Sequence, residues 1–287
     1  MDTLTKNTGV ILEGGGFRAI FVAGVLESFL QHHLSFPYMI GVSAGTAYGV
    51  SYVTGQQERN RQINRYINDP RYCGIRHLMK NGNYFNWDFI YKQIPQKLES
   101  LEYDRLPSSP TRFYTVVTNC MTARPEYFNL NESSPDRLCD FLTATSSLPF
   151  ISKMKIIDGK PYLDGGLADA IPIHHALQQG YEKLVVILTR PKGYRKEDSS
   201  LNTLFGIRYR QYPSLVKLMR ERASLYNQRI EEIEKLEKEG KAYIIRPTET
   251  IPIKRLENNP EISNTVFTDT VRKMESTIPE LVKWLRQ

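Results

Sequence analysis

Cysteine is scarce in this sequence. Its 287 residues include only Cys73, Cys120 and Cys139, an odd number, widely spaced, that forms neither a disulfide framework nor a metal-ligand pattern. Such usage suits a reducing compartment, and a cytoplasmic protein is the expectation. Long apolar runs are missing too: "IFVAGVL" and "LVVIL" fall far short of the ~18 residues of a membrane span. The opening residues MDTLTKNTG have neither a basic n-region nor an apolar h-region, so no secretory signal is expected. Helix-turn-helix, zinc-finger and RNP patterns are absent, and no nucleic-acid partner is expected. Without repeats, low-complexity tracts or a linker, the chain reads as one domain with a real core.

The charge is unbalanced, at a formal +7 with a pI near 9.2. Part of the excess is local: Arg59, Arg61, Arg65, Arg71, Arg76 and Lys80 stand against Asp69 alone. A basic balance fits an anionic partner such as a lipid surface, although many soluble enzymes are equally basic.

The pattern along the chain alternates strands and helices. "GVIL" (9–12) is a short strand ending at glycines, and "FRAIFVAGVLESFLQHH" has helical spacing. "YMIGV" (38–42) is a second strand and residues 44–55 a second helix. Strand, turn, helix, strand, turn, helix builds a parallel sheet. Residues 56–110 form a basic, aromatic excursion of short helices. Strands follow at 111–120 and 126–130, a helix at 136–148, and two strands around a turn at Asp158-Gly159. "IPIHHALQQG" reads as a helix and 183–191 as a buried strand. A charged helix over 213–239, a strand at "AYIIRP" and a helix over 268–286 complete an extension, residues 191–287, expected to pack on the same domain. On the charged helix, Glu231–Lys235 and Glu234–Lys238 are the expected i,i+4 pairs.

Gly14-Gly15-Gly16-Phe17-Arg18-Ala19 matches the dinucleotide fingerprint G-x-G-x-x-G/A after a strand. That fingerprint requires an acidic residue about 20 positions later to hold the ribose. None occurs between Glu27 and Glu58, and no G-K-[ST] follows for a P-loop. The second strand runs instead into Gly41-Val42-Ser43-Ala44-Gly45, a G-x-S-x-G between strand and helix. In that setting the motif is a nucleophile elbow: the serine sits on a tight strained turn, and Gly41 and Gly45 leave room for its neighbours. Adjacent strand ends in a parallel sheet bring the Gly14–Gly16 amides beside Ser43, as an oxyanion hole needs.

A serine needs a base. Among five histidines, His174 and His175 are the serious candidates, yet they fall within a helix. "YLDGGLADA" offers a carboxylate instead: Asp164 closes an apolar strand and two glycines clear space around it, while Asp169 lies close enough to remain open.

"GGGFRA", "GVSAG" and "DGG", in that order, resemble the patatin-like phospholipase family, as do "TATSSLPFI" (143–151) and "TVVTNC" (115–120). The resemblance covers roughly residues 8–190. It implies a three-layer α/β/α sandwich with a mostly parallel central sheet, and a catalytic Ser-Asp dyad without histidine acting on lipid acyl esters. It assigns Ser43 as nucleophile, Asp164 as base, and Gly14, Gly15 and Gly16 as the oxyanion hole, with no cofactor and no metal. The family has Gly where this chain has Ala19, a difference expected to touch packing only. A carboxylate of ordinary pKa is a weak base toward a serine hydroxyl, so Asp164 is expected in an apolar, desolvated pocket.

Arg18 is placed either to meet a substrate phosphate or to hold a sheet-end carboxylate. Tyr84, Phe85, Trp87, Phe89 and Tyr91, beside the basic stretch, suit a flap over a lipid chain or a patch meeting an anionic membrane surface; packing of the excursion onto the sheet explains them as well. Two other functions fit the same residues: a carboxylesterase on small soluble esters, or a non-catalytic lipid- or nucleotide-binding module.

Overall fold

The computed structural model describes residues 3–198, 200 and 202–287. Strand β1 (Thr8–Leu12) leads through a 3-10 turn (Gly16–Ala19) into α1 (Ile20–Gln31), and β2 (Tyr38–Val42) leads into α2 (Ala44–Val53). The excursion contains α3 (Arg59–Ile63), α4 (Ile75–Asn81), a π-helical stretch over Phe89–Leu98 and α5 (Arg105–Ser108). Next come β3 (Arg112–Asn119), β4 (Arg124–Asn129), α6 (Pro135–Ser146), β5 (Lys155–Ile157), β6 (Lys160–Asp164), α7 (Ile173–Gln178) and β7 (Lys183–Ile187). The extension supplies α8 (Asn202–Arg208), α9 (Pro213–Lys238), β8 (Ala242–Ile245) and α10 (Pro260–Leu285).

These strands form one eight-stranded sheet in the order β5-β6-β3-β2-β1-β7-β8, with β4 also paired to β3. The run from β3 to β8 is parallel, while β4, β5 and β6 pair antiparallel at one end. Every residue of β1 and β2 is buried, which explains their unbroken apolar runs: helices cover both faces, so no polar alternation is needed. One face carries Val10, Leu12, Met39 and Ile187 against α1, α2, α6 and α10. The other carries Ile11, Ile40, Val42 and Val186 against α7 and α9. The architecture is therefore the α/β/α sandwich with a mixed, mainly parallel sheet.

Strand β3 decides where the two ends of interest meet. Its residues 114–119 pair with β4 on one edge. The other edge is shared: β2 takes the first part, ending with Val42 opposite Val116, and β6 takes the next, starting with Asp164 opposite Val117. Two strands arriving from opposite directions thus end against consecutive residues of β3, which brings the residue after β2 up to the last residue of β6.

The extension is docked at both ends. Strand β8 adds to the sheet edge beside β7, and α10 packs along α1. Helix α10 starts at Pro260, earlier than its hydrophobic periodicity indicates, because the Asn259 side chain accepts the Glu261 and Ile262 amides and Pro260 occupies the first turn. The expected pairs on α9 do not form. Glu234 reaches off the helix to Arg195 at 3.2 Å and Arg246 at 3.1 Å, which the segments after β7 and β8 bring up to it, and exposed Lys235 pairs with Glu239 at 3.9 Å instead. All three cysteines are free and buried, and among the described residues no helix is long and apolar enough to cross a membrane.

Candidate active site

Ser43 sits between the end of β2 and the first turn of α2 with φ 54° and ψ −128°, a backbone conformation costing a β-carbon residue about 1–3 kcal/mol. The surrounding structure holds it there. Its N–H donates to Thr145 Oγ1 at 2.9 Å, Thr145 donates onward to the Val116 carbonyl at 2.6 Å, and the Ser43 carbonyl accepts the Ala47 amide at 3.1 Å. Thr145, from the "TATSSLPFI" block, is thus the clamp on the elbow. The flanking glycines are steric necessities: a methyl group at Gly41 would meet the Thr46 amide nitrogen at 2.7 Å, and one at Gly45 the Glu13 carbonyl at 2.7 Å.

The triple glycine lies alongside. Gly14 approaches Val42 and Ser43, and Gly16 has φ +59° with its backbone pressed against the Arg255 carbonyl, which also accepts the Phe17 amide at 3.2 Å. Among the described residues, the amides of Gly14, Gly15 and Gly16 donate no hydrogen bond. Three free N–H groups beside a serine can receive a developing oxyanion.

Asp164 is buried, its N–H donating to the Ser147 carbonyl and its own carbonyl accepting from Thr118. Oδ1 accepts the Gly166 amide at 2.7 Å, whereas Oδ2 is buried without a partner. Ser43 and Asp164 line one cavity together with Gly14, Gly15 and Gly166. No hydrogen bond joins the two side chains.

The other candidate bases lie elsewhere. Asp169 accepts from Tyr127 at 2.9 Å and lines a different cavity with His174 and Arg229; burial raises its pKa. His174 pairs with Glu232 at 3.1 Å. His175 Nδ1 is bonded to the Tyr38 hydroxyl at 2.6 Å and lies among tyrosine rings, burial lowering its pKa. Neither histidine lines the cavity of Ser43.

The expected apolar surround of Asp164 requires correction. The carboxylate is desolvated, but its cavity is cationic, lined by Arg18, Arg190, Lys196, Arg222 and Arg255. Only one of these five was singled out by motif. Arg190 follows the β7 run at the end of a central strand, where parallel sheets present ligand-binding groups, and could have been found on that ground. Lys196, Arg222 and Arg255 carry no local signal. Arg18 holds no sheet-end carboxylate: it makes no ion pair among the described residues, and its Nε is buried without a partner. Burial, then Arg190 and Arg255, lowers its pKa to about 10. Glu13, the acid nearest in sequence, is instead occupied by the Thr189 amide at 2.6 Å, the Thr189 hydroxyl at 3.0 Å and the Tyr226 hydroxyl at 2.8 Å.

A second cavity opens from the other side of Ser43. Phe17, Tyr72, Phe85, Trp87, Tyr91 and Leu142 are among its lining residues. The aromatic stretch is therefore turned inward. Phe89 is fully buried, Trp87 and Tyr91 stack at 5.7 Å, and Tyr91 bonds Ser146 at 2.9 Å. Among the exposed apolar side chains of the excursion, Ile75 and Met79 lie on one face of α4. Ala19 is fully buried at the start of α1, a packing position.

The family model described as Patatin-like phospholipase matches residues 10–177, and a second, described as Domain of unknown function (DUF6363), matches residues 212–286. The uncharacterized protein YjjU of Escherichia coli (strain K12) is 31% identical over 189 residues, which are 63% of this chain and 52% of that protein, so the chain spans about half the length of this relative. The crystal structure of VipD from Legionella pneumophila aligns with 93% of this chain and 67% of its own at 12% identity and a TM-score of 0.42.

Proposed function

The chain belongs to the patatin-like phospholipase family, and from that premise we propose that it is a serine acyl hydrolase of lipid esters working through Ser43 and Asp164. Ser43 Oγ attacks the ester carbonyl, and Asp164 Oδ2 takes the hydroxyl proton. The amides of Gly14, Gly15 and Gly16 hold the oxyanion, the alcohol leaves, and water releases the acyl group from the serine by the reverse proton path. The observation that carries this reading is one cavity shared by a serine on a strained elbow and a buried carboxylate oxygen lacking a partner.

The apolar cavity favours a lipid over a small soluble ester. Its walls are aromatic and aliphatic along most of their extent, which suits an acyl chain worth about 0.8 kcal/mol per buried methylene. Ile75 and Met79, exposed beside Arg76 and Lys80 on α4, support a peripheral contact with an anionic membrane surface.

Intact mass after treatment with a long-chain fluorophosphonate, followed by peptide mapping, tests the chemistry. Stoichiometric labelling at Ser43 that collapses in Asp164→Asn is expected. Labelling indifferent to Asp164, or none at all, would remove the dyad.

A further inference from the structure

Five cations converge on the cavity of Ser43 and Asp164, and none of them is in an ion pair among the described residues. Where carboxylates are within reach the molecule does pair arginines: Arg71 holds Asp69 at 2.7 Å, Arg229 holds Glu232 at 2.5 Å, and Arg246 holds Glu234 at 3.1 Å. In the cavity, Arg222 Nε donates only to the Gly166 carbonyl at 2.9 Å, and the Nε atoms of Arg18 and Arg255 are buried without partners. Both carboxylates at hand are otherwise engaged. Glu13 has three neutral donors on it, and Asp164 serves the serine in the reading above. Unpaired charge in a half-buried cleft is unfavourable unless a ligand supplies the opposite sign. Burial and neighbouring arginines lower the pKa of Arg222 to about 10 and that of Lys196 to about 7, as expected where like charges are crowded together.

Resting on the hydrolase reading, we propose that the C-terminal segment completes the active site as a head-group pocket: Lys196, Arg222 and Arg255 join Arg18 and Arg190 to receive the dianionic phosphate monoester of an acyl ester. A phosphate monoester brings two charges near neutral pH and three terminal oxygens, enough acceptors for several guanidinium forks at once. A zwitterionic head group would fare worse. Quaternary ammonium groups bind on aromatic faces, yet the two tyrosines here already carry the protein's own cations. The Arg190 guanidinium lies 4.5 Å from the Tyr194 ring centre, and Lys196 Nζ lies 3.9 Å from that of Tyr226. Arg222, Tyr226 and Arg255 all fall within residues 212–286, the region matching a domain of unknown function. That region would therefore set head-group selectivity for chemistry performed by the first.

Calorimetric binding to the full chain tests this without turnover, using octyl phosphate, octylphosphocholine and inorganic phosphate below any micelle concentration. Octyl phosphate is expected to bind about 30-fold or more tighter than octylphosphocholine, and inorganic phosphate about 100-fold weaker than octyl phosphate because it lacks the chain. In Arg255→Gln and Lys196→Gln the preference for octyl phosphate over octylphosphocholine should fall about 10-fold. Their melting temperatures should not drop, since each substitution relieves repulsion. Equal or tighter binding of octylphosphocholine, or a preference unchanged in both variants, overturns the proposal. Inorganic phosphate binding as tightly as octyl phosphate also overturns it, assigning the pocket to a free anion. Fluorophosphonate labelling reports separately on Ser43: labelling without head-group preference removes this proposal alone, whereas preference without labelling keeps the pocket and removes the hydrolase.

Discussion

Two cavities meet at Ser43 and are made of opposite materials. One is walled by side chains such as Phe17, Phe85, Trp87 and Leu142, the other by Arg18, Arg190, Lys196, Arg222 and Arg255 around two carboxylates. The apolar cavity is held mainly by ring packing, as Phe85 stacks on Trp87 at 5.1 Å, although the Trp87 indole N–H is buried without a partner. The cationic cavity is not satisfied by the protein alone. Their origins differ as well. The apolar wall comes from residues 16–148, largely the excursion, whereas most of the cationic wall comes from segments after β7. A serine placed between an apolar slot and a charged one suits an amphipathic ester, with the scissile bond where the two environments join.

Breaking the junction itself should have the largest effect. Ser43→Ala and Asp164→Asn should each lower kcat by about 10⁴ or more on every ester tested, measured by fatty-acid release, with both variants folded by circular dichroism. Activity retained in Ser43→Ala would place the chemistry elsewhere.

Filling one slot and leaving the other sharpens the contrast. Ala47, on α2, lines only the apolar cavity; Ala47→Trp should lower kcat/KM for long-chain esters about 10- to 100-fold relative to butyrate esters. A ratio that does not move would mean that the chain lies outside this cavity.

The cationic side has a pH signature of its own. Lys196 titrates near 7 when folded, depressed by burial and by Arg222, with Arg255 acting in the same sense and Glu13 and Asp164 opposing. Unfolded, it binds its proton up to about pH 10.4. The unfolded chain then holds more protons between those values, so this residue's penalty is absent above the upper limit, grows as pH falls, and is complete below about 7. The melting temperature should rise from pH 7 toward 10 more steeply in the native protein than in Lys196→Met. Parallel profiles would show that Lys196 is not desolvated.

The smallest effect is expected at the surface. Ile75→Asp and Met79→Asp on exposed α4 should leave stability within about 0.5 kcal/mol and weaken sedimentation with anionic vesicles a few-fold. Unchanged sedimentation would remove α4 as the membrane contact.

Much of the elbow was legible in the sequence because its requirements are local. A glycine two residues either side of Ser43 follows from backbone contacts of under 3 Å, and the apolar runs of β1, β2 and β7 follow from burial on both faces. The aromatic stretch was visible as composition, with inward packing and an outward patch both open; the choice between them depended on the π-helical turn at Phe89–Leu98 and on packing against α6. The cap of α10, Asn259-Pro260, is also a local signal, and it sets the helix start ahead of the apolar periodicity.

Sequence alone determined the alternating strand–helix order, the elbow and the run of glycines, each governed by interactions between residues a few positions apart. Tertiary structure decided that Asp164 rather than Asp169 shares a cavity with Ser43, because β2 and β6 end against consecutive residues of β3. It also decided that Arg18, Arg190, Lys196, Arg222 and Arg255 surround that cavity. Cations so far apart in the chain meet only once β8 and α10 have docked the extension beside β7 and α1, and no local pattern encodes that encounter.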